Sequence, residues 1–61
     1  MNNPFDGFGD VWLNVLQYCI EYTLIDAEKE LSDTDMELLI MKYMLECIED
    51  KLKEFDNEKE N

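Results

Sequence analysis

The sequence predicts an all-α fold, a helical hairpin of two long antiparallel helices that assembles as a homodimer into a four-helix bundle. Apolar residues recur at helical spacing over two long stretches. A helix-start pattern from Ser32 to Asp35 separates the two stretches. Because the connection between the two predicted helices is short, antiparallel packing is favoured over the alternative of one long bent helix. Each stretch also carries a second apolar row that one hairpin leaves in water, which predicts association with another chain.

The length of 61 residues predicts one small domain with a limited core. Chains of this size commonly depend on disulfides, a metal, oligomerisation or regular helix packing. The two cysteines, Cys19 and Cys47, lie inside apolar runs and do not form a Cys-x-x-Cys pair. We therefore expect reduced, packed thiols, with neither a disulfide framework nor a zinc site.

The N-terminal residues 1–9, MNNPFDGFG, contain both glycines and the only proline, which predicts an irregular leader. Its Phe5 and Phe8 are expected to dock on the helices. Asp10 is the predicted N-cap of a first helix over about 10–31, because its carboxylate can accept a hydrogen bond from the first helical turn.

A second helix is predicted over about 33–55. Ser32 is its expected N-cap, and Asp35 lies at the third helical position, as in a capping box. Residues 10–56 then form the helical hairpin domain, and residues 57–61 form a polar C-terminal tail.

Each predicted helix has one apolar stripe suited to packing on the other helix, at alternating steps of three and four residues. In the first helix the stripe is Leu13, Leu16, Ile20, Leu24, Ala27 and Leu31, and in the second it is Leu38, Met41, Leu45, Ile48, Leu52 and Phe55.

The second apolar rows are the predicted surfaces for dimerisation or for another protein. The first helix carries Val11, Val15, Tyr18, Tyr22 and Ile25, and the second carries Met36, Ile40, Tyr43 and Cys47. Trp12 lies to one side of both stripes of the first helix and is either a core or dimer contact or an interface anchor, a role in which Trp is enriched. The predicted apolar binding residues are Trp12, Val15, Tyr18, Tyr22, Met36, Ile40 and Tyr43.

Charge excludes nucleic acid as a direct ligand. The chain has 16 Asp plus Glu against five Lys plus Arg and no His, for a net charge of −11. Binding phosphates requires cations. The absence of His and of an isolated carboxylate pair in an apolar setting predicts a non-enzymatic protein without cofactors. Acids of the second helix could gather a metal ion, as a small metal-dependent enzyme would need, but interleaved lysines favour a solvated surface.

Combining the apolar rows with the acidic exterior yields two functional hypotheses. The first is an inhibitor or modulator that binds the basic, nucleic-acid-binding surface of a host protein, as a nucleic-acid mimic. In size and charge the chain resembles small acidic proteins of phages and mobile elements that disable host defence or transcription enzymes. Its predicted acidic binding residues form a row on the second helix: Glu46, Glu49, Asp50 and Glu54.

The second hypothesis is a homo-oligomeric regulatory or adaptor protein that holds its partner by an apolar helix face, with acidity serving solubility. A secretory signal and a stretch long enough to span a bilayer are not recognisable. We therefore expect a cytoplasmic protein without a membrane partner, in the host cytoplasm if it is phage-encoded.

Overall fold

The computed structural model describes the backbone of residues 3–60 and the side chains of residues 3–57. It contains helix α1, Asp10–Glu30, and helix α2, Met36–Glu60, packed against each other as a hairpin. No strand occurs in this described part of the chain. The predicted all-α helical hairpin is confirmed, and the alternative of one bent helix is wrong because residues 31–35 leave the helical conformation.

Helix α1 begins at a glycine. Gly9 is its N-cap, with extended backbone (φ −78°, ψ 165°) and no side-chain cap, and its carbonyl accepts a hydrogen bond from Leu13 N–H at 3.0 Å. The prediction of Asp10 as N-cap is therefore wrong by one position, because Asp10 is already helical. Its carboxylate lies in the first turn, where the helix dipole favours negative charge.

Helix α2 begins later than predicted because Ser32 and Asp35 close a turn before it. Asp35 N–H donates to the Ser32 carbonyl, and Asp35 Oδ2 accepts from Ser32 N–H, each at 3.0 Å. The Asp35 carbonyl then accepts the first helical hydrogen bond, from Leu39 N–H at 3.2 Å. Asp35 thus has the N-cap position predicted for Ser32, whose hydroxyl lies 3.2 Å from that of Thr34.

The C-terminal end of α2 also differs from the prediction. The helix does not stop at Phe55, since its backbone is helical through Glu60. The predicted polar tail, residues 57–61, is therefore helical over its described part, while Asn61 lies outside the described residues. Lys and Glu are good helix formers, so a polar composition alone does not end a helix.

The two predicted packing stripes form the interior of the hairpin. Every residue of both stripes is buried or half-buried. Leu13, Leu38 and Ile48 are fully buried. Helical periodicity therefore identified the contact faces of both helices correctly.

The N-terminal leader is a packed element of the fold. Phe5 is only 8% exposed and joins Leu13, Cys47 and Ile48 in one hydrophobic cluster, so its predicted docking is confirmed. Asn3 Nδ2 donates to the Cys47 carbonyl on α2 at 2.9 Å. Residues 1 and 2 of the predicted leader lie outside the described residues.

Local hydrogen bonds shape the leader. Asn3 Oδ1 accepts from Phe5 N–H at 2.9 Å, and the Asn3 carbonyl accepts from Asp6 N–H at 3.0 Å. A second turn follows, in which Phe8 N–H donates to the Phe5 carbonyl at 3.1 Å. Gly7 lies inside this turn with φ of 92°, a conformation that other residues rarely adopt. Phe8 is 41% exposed, with its ring edge-to-face on Phe5 at 5.6 Å between centroids.

Candidate protein-interaction surfaces

Helix α1 presents a continuous apolar row to solvent. We call it the α1 row and define it as Val11, Val15, Tyr18, Tyr22 and Ile25. All five side chains are exposed, from 46% for Val15 to 73% for Tyr22. At about 100° per residue, the row is centred about 180° from the stripe that packs on α2. The α1 row therefore faces away from α2, and the hairpin itself leaves it uncovered.

Trp12 and Cys19 lie on the same flank of the α1 row, about two helical turns apart. Trp12 is exposed, so it is not a core residue of the hairpin. Cys19 is also exposed, which makes the prediction of a packed thiol wrong for Cys19, whereas Cys47 is buried as predicted. Both thiols are free. An exposed Trp beside an apolar row is typical of residues that contribute strongly to binding another protein.

A shallow depression in the α1 row is lined by Tyr18, Glu21, Tyr22 and Ile25. These residues stand at positions i, i+3, i+4 and i+7, the spacing of the four side chains that surround a hole in knobs-into-holes packing. The helix surface can therefore receive one side chain from another helix there.

The corresponding row of α2 is shorter than predicted. Met36, Ile40 and Tyr43 are exposed as expected, but Cys47 is buried. The leader covers this end of the row, because Phe5 packs in the same cluster as Cys47. Sequence reasoning missed exposed Leu39, although its spacing of three from Met36 and four from Tyr43 places it beside these residues.

Tyr43, the last exposed residue of this row, also borders a second depression on α2. Its lining comprises Tyr43, Glu46, Cys47, Glu49, Asp50 and Lys53. Hydrogen bonding and Coulomb interaction with Cys47, together with some desolvation, raise the pKa of Tyr43. The neutral phenol is thus retained to higher pH at the apolar end of the depression, while carboxylates line the other end.

The structure divides the predicted acidic set. Glu46, Glu49 and Asp50 are exposed and come together around the α2 depression. Glu54 is exposed too, but its Oε1 lies 3.2 Å from Lys51 Nζ. Glu54 is therefore partly neutralised, whereas Glu46, Glu49 and Asp50 form no ion pair with a described side chain and share their depression with one lysine, Lys53.

The ion pairs among the described side chains both involve Lys51. Its ammonium lies 2.9 Å from Asp6 Oδ1 as well as 3.2 Å from Glu54 Oε1. Hydrogen bonds to Asp6 and then Glu54 raise the pKa of Lys51, opposed by desolvation. Lys51 thus joins the leader to α2, and the lysine in the lining of the acidic depression is Lys53.

Within residues 3–57, no three Asp, Glu or Cys side chains are grouped closely enough to hold a metal ion. Neither described helix has a segment long and apolar enough to cross a bilayer.

Comparison with protein-family models, curated proteins and solved structures gives no match. The α1 row and the acidic depression of α2 are the two candidate interaction surfaces.

Proposed function

We propose that this chain is a non-enzymatic interaction protein that binds the basic, nucleic-acid-binding surface of another protein and blocks it. The observation that carries the proposal is the position of Glu46, Glu49 and Asp50. They are exposed on one side of a regular helix, around one depression in which three carboxylates outnumber one lysine, Lys53. The depression therefore presents an excess of negative charge to a partner.

Electrostatics and rigidity support this function. A groove rich in Lys and Arg attracts a chain with net charge of −11, which accelerates the encounter. Carboxylates fixed on a helix can take the positions of phosphates with less loss of backbone entropy than carboxylates of an unstructured tail. An inhibitor that a phage or mobile element directs against a host defence or transcription protein, in the host cytoplasm, would have these properties.

A second candidate function is favoured by the α1 row. Five large apolar side chains exposed on one helix face indicate an interface. In this case the chain is a homodimer or higher oligomer that acts as a regulatory or adaptor protein through its apolar faces. The two functions are compatible, because the α1 row and the acidic depression lie on different helices.

Affinity capture from cells of the natural host tests the first function. The bait is compared with the double variant Glu46→Lys/Asp50→Lys and with the control Glu28→Lys/Glu30→Lys. The control has the same change in net charge, and both of its sites are exposed near the end of α1, where the helix dipole favours cations.

We expect wild type and control to recover the same nucleic-acid-binding protein, and the first variant to lose it. The purified chain should then displace nucleic acid from that protein, less effectively at high salt. Recovery of the same proteins by all three baits would contradict the proposal.

A further inference from the structure

We propose that the α1 row is a self-association surface on which a second copy of this chain packs its own α1 in antiparallel orientation. The proposal rests on the oligomeric assembly put forward above and specifies its surface and geometry. The second copy is the occupant that the α1 row itself indicates, because the order of its residues is self-complementary.

The α1 row has nearly the same residue types when it is read in either direction. Along the helix it runs Val11, Val15, Tyr18, Tyr22, Ile25, and the next position at the same spacing is Lys29. Antiparallel pairing about the midpoint places Tyr18 against Tyr22 of the second copy. It also places Val15 against Ile25. A two-fold interface requires such a surface, since each contact must occur twice.

The residues at the two ends of the pairing can also pack against each other in this arrangement. Val11 meets Lys29 of the second copy, and Lys29 is exposed. Lys can lay its aliphatic stem along an apolar side chain while its ammonium group remains in water. The six positions follow alternating steps of four and three residues, the heptad spacing of helices that pack along their length.

The depression in the α1 row supplies the hole for this packing. Its lining residues, Tyr18, Glu21, Tyr22 and Ile25, surround a point near the middle of α1. In the antiparallel arrangement the side chain opposite that point is Tyr18 of the second copy. Each tyrosine ring then fills the hole of the other chain, with its hydroxyl able to reach water at the edge.

The available area approaches what a dimer needs. The exposed parts of the α1 row and Trp12 amount to about 700 Å² per copy, taking about 150–250 Å² for a whole aromatic side chain. A stable interface buries about 800 Å² per partner. The apolar contact is therefore close to standard size, while two copies with net charge of −11 repel each other.

This repulsion fixes the sign of the salt dependence. Screening weakens the repulsion between like charges. Dimerisation should therefore tighten as salt is added. Binding to a basic partner should weaken under the same change, so salt separates the two interactions.

The arrangement differs from the closed bundle expected from the sequence. Because the α1 row faces away from α2, the four helices of the dimer lie side by side in the order α2, α1, α1, α2. The acidic depression of α2 then stays outside the dimer contact. A dimer can accordingly present two acidic surfaces to basic partners.

Sedimentation equilibrium at about 0.1 M and about 1 M NaCl tests the proposal, since the Debye length falls from about 10 to about 3 Å. We expect a dimer that is tighter at high salt. Tyr18→Lys/Tyr22→Lys should weaken it by roughly 30-fold or more, the size of a hot-spot loss. This variant reduces the net negative charge, so added repulsion would not explain the loss.

The matched control is Ile40→Lys/Tyr43→Lys, which makes the same charge change on the exposed row of α2. It should leave the dimer intact or tighten it. A monomer at both salt concentrations would overturn the proposal, as would equal loss of the dimer in both variants.

Cross-linking through Cys19 tests the antiparallel orientation of the two α1 helices. Cys19 lies on the flank of the α1 row, and antiparallel pairing brings the two Cys19 residues to the same side of the contact, near the two-fold axis. A short bismaleimide should link two wild-type chains, and Cys19→Ser should abolish the link, because Cys47 is buried. A dimer that gives no Cys19 link would overturn the antiparallel arrangement. A monomeric chain that still captures basic proteins would overturn this inference alone and leave the acidic-surface function standing.

Discussion

Lys51 Nζ lies 2.9 Å from Asp6 Oδ1, and this ion pair joins the N-terminal leader to α2. The lysine side chain is 15% exposed and the aspartate 51%. Together with the bond from Asn3 Nδ2 to the Cys47 carbonyl, the pair holds Phe5 over the end of the hairpin. The leader therefore acts as a third packing element of a two-helix protein.

Stability should depend on Asp6 at low pH. The hydrogen bond from Lys51, aided by its charge and by a bond from Asn3, holds the pKa of Asp6 below its ordinary 3.8, against some desolvation. A lowered pKa in the folded state means that the unfolded chain binds more protons in this window. The stabilisation is therefore complete above the ordinary pKa and is lost as pH falls through the lowered value.

Urea unfolding of wild type and Asp6→Asn measures this effect. The two proteins should differ at pH 6, and the difference should shrink below the ordinary pKa of Asp6, 3.8, and vanish as pH falls through the lowered value. The difference should be small because the carboxylate is half exposed. A difference that grows as pH falls would contradict the ion pair.

Removing the Phe5 ring should destabilise the fold strongly. Phe5→Ala empties a buried position beside Leu13 and Ile48, and such changes cost about 3–5 kcal/mol. The control Phe8→Ala removes a ring that is 41% exposed and should cost about 1 kcal/mol or less. Urea unfolding followed by circular dichroism gives the free energy of unfolding of both variants. An equal decrease in the two would mean that the leader does not pack as described.

Helical periodicity predicted the hairpin, both packing stripes and the exposed α1 row. It could not predict that Cys47 leaves the exposed row of α2, because burial of Cys47 depends on a contact from the leader, far away in sequence. Local pattern also misplaced the start of α2. Ser32 and Asp35 have the residue types of a capping box, yet their hydrogen bonds close a turn ahead of Met36.

The acidic set was likewise predicted only in part. Spacing along α2 placed Glu46, Asp50 and Glu54 in one row, and all are exposed. Glu54 is partly neutralised by Lys51 three residues earlier, a local pair that the spacing along α2 contains. The second contact of Lys51, with Asp6, depends on the fold of the leader and could not be predicted from the pattern along α2.

The two thiols should differ in reactivity. Cys19 is exposed and should react at once with a thiol reagent such as Ellman's reagent, whereas buried Cys47 should react only as fast as the leader opens. In a Cys19→Ser background, adding Phe5→Ala should accelerate Cys47 labelling. Unchanged labelling in a variant shown to be folded would contradict the role of the leader as its cover.

Truncation to Ala should destabilise the fold strongly at Ile48, in the hairpin interior, and only weakly at Ile40, on the surface. Ile48 is fully buried, so Ile48→Ala should cost about 2–5 kcal/mol. Ile40→Ala makes the same chemical change at a half-exposed position and should cost clearly less. Urea unfolding should be measured at one fixed protein concentration, because dimerisation contributes to apparent stability. Similar losses at the two sites would contradict the assignment of faces.

The central claim is that the carboxylates of the α2 depression direct this chain to a basic protein surface. The most direct measurement is the association rate constant with the captured partner, determined by surface plasmon resonance at two salt concentrations. Glu46→Lys/Asp50→Lys should slow association and flatten its salt dependence, with a smaller effect on dissociation, while Glu28→Lys/Glu30→Lys should stay near wild type. Association by the first variant at the wild-type rate, with the wild-type salt dependence, would contradict the claim.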